Sequence, residues 1–350
     1  MKMRDRIIIG ILSAALVVSV GVNVIFATRS SASPPPSNSP TVPASPTDPA
    51  LGLQRDYVQV VNAVRPSVVE IATTSGLGSG VIYDASGDIV TNAHVVGNAT
   101  SFTVTLANGT SYPASLVGRF TPDDLAVIRV RGAGSLVPAT FSSASTFEVG
   151  NLVLAIGSPL GLSSSVTNGI VSFSGRTVSE GSGVVLTDMI QTSAAINPGN
   201  SGGALVSISG KVTGIPTLVA SDGNTATAGL GFAIPSTTVR LIVPQLISQG
   251  KVTSAGRASL GISGATAISG NDEPLGVVVT DVVPNGPAAR AGIATGMLIT
   301  ALDNHTTPTL ETLNVLLSTL KPGQQVSLAL TTETGQRRTV EVVLGDLAQD

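Results

Sequence analysis

Short apolar runs rich in β-branched residues alternate with turn residues over most of the chain after Tyr57. Runs of this kind, bounded by Gly, Asn or Asp, are typical of β-strands. Two segments are predicted to be helical, Leu53–Val64 and Pro235–Gln249. The predicted strands include Ser67–Ala72, Gly80–Tyr83, Ile89–Asn92, Phe102–Leu106, Ala126–Val130, Leu152–Ile156 and Ala204–Val206. Strands that follow one another so closely predict closed antiparallel barrels rather than β-α-β units.

The pattern changes after Lys251, where a compact unit of strand, strand, helix, strand, helix and strand begins. We therefore place a domain boundary near residue 252. The sequence predicts a mainly β protein with a larger domain over 53–250 and a smaller domain, with two helices, over 254–346.

The N-terminal region differs from the rest of the chain. Three positive charges, at Lys2, Arg4 and Arg6, precede an uncharged apolar run from Ile7 to Thr28. A membrane-spanning helix needs about 20 such residues, whereas a cleaved signal has an apolar core of roughly 7–15. The run over 7–28 therefore favours a single-pass membrane anchor within segment 1–29. The small residues around Ala27 and Ala32 leave cleavage and secretion open.

The segment that follows, 30–52, is rich in Pro and Ser and is predicted to be an extended linker. Positive charges before an apolar span place the N-terminus in the cytoplasm, so the rest of the chain is expected outside it.

Composition removes several classes of function. The 350 residues contain no Cys, which excludes disulfides, thiolate metal sites and a Cys nucleophile. The presence of only two His argues against a multi-His metal site. A net charge of −3 gives no basic field for nucleic acid, and 3% aromatic residues give no stacking platform for its bases. We expect no cofactor, no metal and no nucleic-acid partner.

One serine lies among glycines in the string Asn197–Leu205, directly before an apolar strand. Glycines beside Ser201 let backbone N–H groups point into one small space, as a nucleophile next to an oxyanion hole requires. The competing interpretation is an ordinary Gly-Ser turn.

Two further residues fit the same chemistry. His94 is one of the two histidines and ends an apolar strand, and histidine is the commonest general base near neutral pH. Asp124 directly precedes another apolar strand, so it can be drawn inside to orient an imidazole. A solvated turn position fits its neighbour Asp123 better. The order His, Asp, Ser along the chain is that of chymotrypsin-type enzymes.

With these strings the sequence resembles the HtrA (Deg) family of trypsin-like serine proteases that carry one C-terminal PDZ domain. The likeness extends from about residue 53 to 346. It is carried by Thr91–Val96, Asp124–Ile128, Gly199–Leu205, Gly78–Ile82, Ala155–Gly161, Gln191–Asn197, Gly229–Pro235, Ser259–Ile262, Gly276–Thr280 and Pro284–Gly292.

The resemblance implies a chymotrypsin-like double β-barrel followed by a PDZ domain. It implies His94 as general base, Asp124 as its orienting acid and Ser201 as nucleophile. The oxyanion hole would be formed by Gly199, Asn200 and Ser201, and the specificity pocket by Ile196, Gly229, Leu230, Gly231 and Phe232. Because these segments carry no acidic residue, we expect cleavage after small or medium aliphatic residues rather than after Lys or Arg.

The resemblance also assigns the loop Ser259, Leu260, Gly261 and Ile262 to the capture of a peptide C-terminus, while the bound peptide adds a strand. Arg176 matches a loop position that couples the PDZ domain to the active site in relatives. The short loop between Ile71 and Gly78 favours a homotrimer built through Leu53–Val64.

The implied function is a serine endopeptidase for unfolded or damaged exported proteins, acting in envelope quality control and stress response. Two alternatives stay open: a PDZ-based chaperone or scaffold with an inert protease domain, and a membrane-bound sheddase that makes one regulatory cut.

Overall fold

A computed structural model of the protein describes residues 49–74, 76–144, 147–158, 165–179, 185–197, 199–222 and 225–349, with 218–222 and 225–228 described by their backbone alone. The predicted anchor over 7–28 and nearly all of the predicted linker lie outside the described residues. Among the helices of the described part, none is long and apolar enough to cross a membrane.

The first helix, α1, spans Pro49–Val64 and begins earlier than predicted, inside the segment assigned to the linker. Proline suits a first helical position because its φ is already helical and that position needs no N–H. The helix buries Val60 and Val64, while Leu53 and Val58 stay exposed. A short 3-10 turn, Arg65–Ser67, connects α1 to the first strand.

The first barrel closes through six antiparallel strands in the order β1-β2-β3-β6-β5-β4. A single turn of helix, α2 (Ala93–Val96), follows β3. The predicted strands of this region are confirmed, except that His94 lies in α2 rather than at the end of a strand. The strands are β1 Val68–Ala72, β2 Leu77–Ile82, β3 Asp88–Thr91, β4 Ser101–Thr105, β5 Ser111–Phe120 and β6 Leu125–Val130.

The second barrel closes in the order β10-β11-β12-β9-β8-β7. Helix α3 (Ser236–Gln249) follows it and ends at Gly250, whose positive φ of 71° is a common helix terminator. The buried face of α3 joins the core that both barrels share. The strands are β7 Leu152–Gly157, β8 Ser165–Ser179, β9 Val185–Thr192, β10 Ala204–Ser207, β11 Val212–Asp222 and β12 Thr225–Pro235.

The C-terminal part has its own core and a sheet in the order β14-β15-β16-β18-β19, with β17 paired to β16. Helices α4 (Pro287–Arg290) and α5 (Leu310–Ser318) flank it, and a two-residue strand, β13, pairs with the last strand, β20. The strands are β13 Ala258–Ser259, β14 Ile262–Ile268, β15 Pro274–Val282, β16 Leu298–Leu302, β17 His305–Thr306, β18 Gln325–Thr331, β19 Arg337–Val343 and β20 Gly345–Asp346. The predicted fold class, a double β-barrel followed by a PDZ-like domain, is confirmed.

Candidate active site

The loop before β6 builds Asp124 into the interior. A 3-10 turn over Thr121–Asp123 ends at Asp124, which adopts a left-handed conformation with a φ of 48°. Asp is one of the few non-glycine residues that tolerate this region. Its side chain is turned away from solvent and the residue is only 4% exposed.

The carboxylate of Asp124 holds His94 by two contacts. Oδ1 accepts from the backbone N–H of His94 at 2.9 Å, and Oδ2 lies 2.8 Å from Nδ1 of the imidazole. With the proton on Nδ1, Nε2 becomes the basic nitrogen, and the buried carboxylate stabilises the imidazolium that forms when Nε2 takes a proton. The backbone oxygen of Asp124 accepts from Ala93 N–H and from the Asn92 amide, at 3.0 and 3.1 Å. The whole of α2 is therefore fixed against this aspartate.

Thr217, on β11, connects the acid to the serine and was not predicted from the sequence. Its hydroxyl donates to Oδ2 of Asp124, and its carbonyl oxygen lies 3.4 Å from Oγ of Ser201. Thr217 is almost fully buried, and a buried hydroxyl inside an apolar strand needs a partner. That need is the one signal in the sequence that could have identified it.

The turn around Ser201 presents two backbone donors. The N–H groups of Gly199 and Ser201 donate no hydrogen bond within the described part of the chain. Gly199 has a φ of 107°, which only glycine adopts readily. Asn200 is buried and holds the turn, since its side chain accepts from Asn197 N–H at 3.0 Å and donates to Ala195 O at 3.1 Å. Such an arrangement can receive an oxyanion.

Two of the predicted pocket residues lie against each other, Gly231 on β12 and Ile196 in the segment before this turn. A Cβ added to Gly231 would lie 2.4 Å from Cγ1 of Ile196, so a larger residue there would displace the isoleucine. Phe232 and Ile196 are both buried, whereas Leu230 is partly exposed and Gly229 is exposed. None of these residues carries a charge.

The predicted carboxylate loop borders a cavity of about 260 Å³ between β14 and α5. Apolar side chains of both elements, Ile262, Leu313 and Leu317 among them, line this cavity. Gly261 has a φ of 67°, and its N–H donates a hydrogen bond to the hydroxyl oxygen of Ser259 at 3.0 Å. The protease part also contributes to the wall, through Pro122 and Val185.

Asp123 is not the solvated turn residue that the sequence indicated. It is 6% exposed, and its carboxylate lies 3.0 Å from Nη2 of Arg257, just before the carboxylate loop. Burial raises the pKa of Asp123 above its usual 3.8, while the charge of Arg257 lowers it and that of Asp188 raises it further. The guanidinium also donates to Pro122 O at 3.1 Å. This pairing could not be predicted from the sequence, because the two residues belong to different predicted domains.

Arg176 lies on β8, where its Nε and Nη2 contact Oε1 of Gln191 at 3.1 and 2.9 Å. Its guanidinium also stacks 4.6 Å above the ring of Phe173. Both contacts are with residues of β8 and β9, so they lie within the second barrel.

Comparison with known proteins identifies both domains of the chain. Residues 78–215 match the family described as a trypsin-like peptidase domain, and residues 258–344 match the PDZ domain family. The chain is 38% identical over 339 residues to the serine protease PepD of Mycobacterium tuberculosis, covering 90% of this chain and 72% of PepD. It is 39% identical over 284 residues to the periplasmic serine endoprotease DegP of Salmonella typhimurium, covering 78% of this chain and 58% of DegP.

Solved structures give the same result. A serine endoprotease from Yersinia pestis matches with a TM-score of 0.55 and 34% identity, over 83% of this chain and 98% of that one. The HtrA-type protease AlgW, solved with a tripeptide, matches with a TM-score of 0.57 and 33% identity, over 84% of this chain and 97% of AlgW.

Proposed function

The chain belongs to the HtrA (Deg) family of trypsin-like serine proteases, and on that premise we propose that it hydrolyses peptide bonds with Ser201 as nucleophile, His94 as general base and Asp124 as orienting acid. The observation that carries the proposal is the continuous set of contacts from His94 through Asp124 and Thr217 to Ser201. The protease domain is assigned to residues 53–250 and the PDZ domain to 254–346.

In this mechanism Nε2 of His94 removes the proton of Oγ as Ser201 attacks the scissile carbonyl carbon. The resulting oxyanion accepts hydrogen bonds from the N–H groups of Gly199 and Ser201, and His94 then gives its proton to the leaving amine. A water molecule, deprotonated by His94, then attacks the acyl-enzyme in the same way and releases Ser201. The buried carboxylate of Asp124 stabilises the imidazolium in both halves of the reaction.

The proposal is tested by the degradation of an unfolded protein such as casein. Ser201→Ala and His94→Ala are each expected to abolish cleavage, and their combination to cost no more than either alone, because the two side chains act as one unit. Ser209→Ala changes an exposed serine on the turn after β10 and serves as the matched control. Near-normal cleavage by Ser201→Ala would refute the assignment. If wild type only suppresses aggregation without cleaving, the chaperone alternative is correct.

We further propose that the PDZ groove binds free, apolar peptide C-termini and that occupancy changes proteolytic rate. The apolar cavity beside Leu260 and Ile262 supports this, because it can receive the last side chain of a peptide next to the carboxylate loop. Amidation of the peptide C-terminus is expected to remove most binding, since the loop then loses its anionic partner. Arg176→Ala tests the predicted coupling role: weaker activation with unchanged peptide affinity supports it, whereas normal activation refutes it.

The substrates proposed are unfolded or damaged proteins outside the cytoplasm, in agreement with the word periplasmic in the name of DegP. Anchoring through residues 7–28, or secretion after cleavage, remains a proposal from sequence, as does a role in the stress response. A homotrimer is supported by exposed apolar residues on α1, Leu53 and Val58, and on β8, Ile170 and Phe173. Sedimentation of the purified protein tests that state.

A further inference from the structure

A buried serine in the string Gly78–Ile82 contacts Gly199 and Ser201, the two residues whose N–H groups form the proposed oxyanion hole. Ser79 lies on β2 of the first barrel and is fully buried. Its Oγ lies 2.5 Å from the carbonyl oxygen of Gly199 and 2.8 Å from the backbone N of Ser158, and its own N–H donates to the carbonyl oxygen of Ser201 at 3.0 Å. One residue of the first barrel thus contacts two residues of the reactive turn and a third, Ser158, directly after β7.

The direction of these hydrogen bonds is fixed by chemistry. The backbone N–H of Ser158 can only donate, so the hydroxyl of Ser79 accepts there and sends its single proton to the carbonyl of Gly199, which can only accept. The carbonyl of Ser79 in turn accepts from the hydroxyl of Thr91 at 2.7 Å. Every polar atom of Ser79 therefore has a partner, and the hydroxyl cannot rotate without losing two of its contacts.

These contacts fix the peptide units on either side of the reactive turn. A peptide unit is planar and rotates as one body, so a hydrogen bond to its carbonyl also sets the direction of its N–H. The hydroxyl of Ser79 holds the unit between Gly199 and Asn200, and its N–H holds the unit between Ser201 and Gly202. The N–H of Ser201 belongs to the unit between these two, and the N–H of Gly199 belongs to the unit directly before the first, so both donors adjoin peptide units that Ser79 holds.

The turn needs such support because two of its residues are glycines with positive φ, 107° at Gly199 and 79° at Gly202. Glycine lacks the Cβ that restricts rotation in other residues. The turn also lies directly against β2, since a Cβ added to Gly202 would be 2.3 Å from the carbonyl oxygen of Ser79. The contacts from β2 therefore add to the hydrogen bonds within the turn in setting the orientation of these peptide units.

We propose that Ser79 is a positioning residue that holds the N–H groups of Gly199 and Ser201 in the geometry that receives the oxyanion. The inference rests on the proposed oxyanion hole. Because the oxyanion exists only in the transition state, loss of the Ser79 hydroxyl is expected to lower kcat and leave substrate binding unchanged.

The experiment compares Ser79→Ala with Thr213→Val in the full chain. Thr213 is also buried, and its hydroxyl donates one hydrogen bond to Leu205 O at 2.9 Å, away from the turn. For each variant we would measure kcat, KM, the thermal midpoint and the affinity of a peptidyl boronic acid, which forms a tetrahedral adduct on Ser201. Ground-state binding would be measured with the uncleaved peptide in the Ser201→Ala background.

We expect Ser79→Ala to lower kcat and boronate affinity in parallel, by about 10- to 100-fold, somewhat less than the loss of a direct oxyanion donor. KM and ground-state affinity should stay within about twofold, and Thr213→Val should retain kcat. A kcat for Ser79→Ala within twofold of wild type, or an equal loss of kcat in both variants at equal destabilisation, overturns the proposal. If Ser79→Ala does not fold, Ser79→Cys keeps a side chain of similar size with a weaker donor. Full kcat in a folded Cys variant then refutes the inference. Failure of the proposed function is separate, because it would show as retained cleavage by Ser201→Ala.

Discussion

The glycine at the end of β7 offers a direct test of how closely the reactive turn is packed. A Cβ added to Gly157 would lie 2.5 Å from Cα and 2.6 Å from Cβ of Asn200, and 2.9 Å from the carbonyl oxygen of Gly199. Ordinary contacts begin at 3.4 Å, so Gly157→Ala requires a displacement of about 1 Å. The backbone at Gly157 has no positive φ, so the only obstacle to alanine is this contact.

Asn200 cannot yield alone, because its side chain and backbone are hydrogen-bonded on both sides of the turn. The added methyl group is therefore expected to move the turn as a unit, together with the N–H groups of Gly199 and Ser201. A misplacement of about 1 Å at a reacting centre can cost about 100-fold in rate. Overpacking of this kind also costs about 1–3 kcal/mol in the free energy of unfolding.

The assay is steady-state hydrolysis of a peptide with a small aliphatic residue before the scissile bond, together with thermal unfolding. Gly157→Ala should lower kcat by about 100-fold with little change in KM. Gly134→Ala is the matched control, since a Cβ there has no neighbour within 4 Å and the residue has no positive φ. A kcat for Gly157→Ala within twofold of wild type would refute the claim that this turn is held rigidly against β7.

Three further predictions follow from the same site. Thr217→Val removes a hydrogen-bond donor from the buried carboxylate of Asp124. We therefore expect kcat to fall by about 10-fold and the free energy of unfolding by about 1.5–3 kcal/mol. Unchanged pH–rate and unfolding curves would contradict this. Because burial raises the pKa of Asp123, protonation of its carboxyl group stabilises the folded state. This contribution is fully present below the usual pKa of 3.8 and is lost as pH rises through the folded-state pKa. Wild type should therefore gain stability relative to Asp123→Asn in urea unfolding as pH falls through that range, and a pH-independent difference would show that the pKa is not raised. In a peptide library, cleavage should occur after Ala, Val or Ile, and dominant cleavage after Lys or Arg would contradict an uncharged pocket.

The sequence alone determined the two barrels, the PDZ-like domain and the residues of the candidate triad. Strand runs and turn residues act locally, so their pattern is visible without the fold. His94, Asp124 and Ser201 could be identified because each lies in a short string with its own chemical meaning. The start of α1 was predicted at Leu53, four residues too late, because the proline-rich segment before it does not look helical although the helix begins at Pro49.

Only the tertiary structure decided which side chains support that triad. Thr217 reaches Asp124 across 93 positions of the chain, and Ser79 reaches Gly199 across 120. Asp123 looked solvated in its local string, yet the fold buries it against Arg257 of the following domain. A threonine, a serine or an aspartate is common in any strand or turn, and its local sequence does not specify its partner. The partner is set when barrel closure and domain packing exclude water and leave each buried polar group to find a hydrogen bond within the protein.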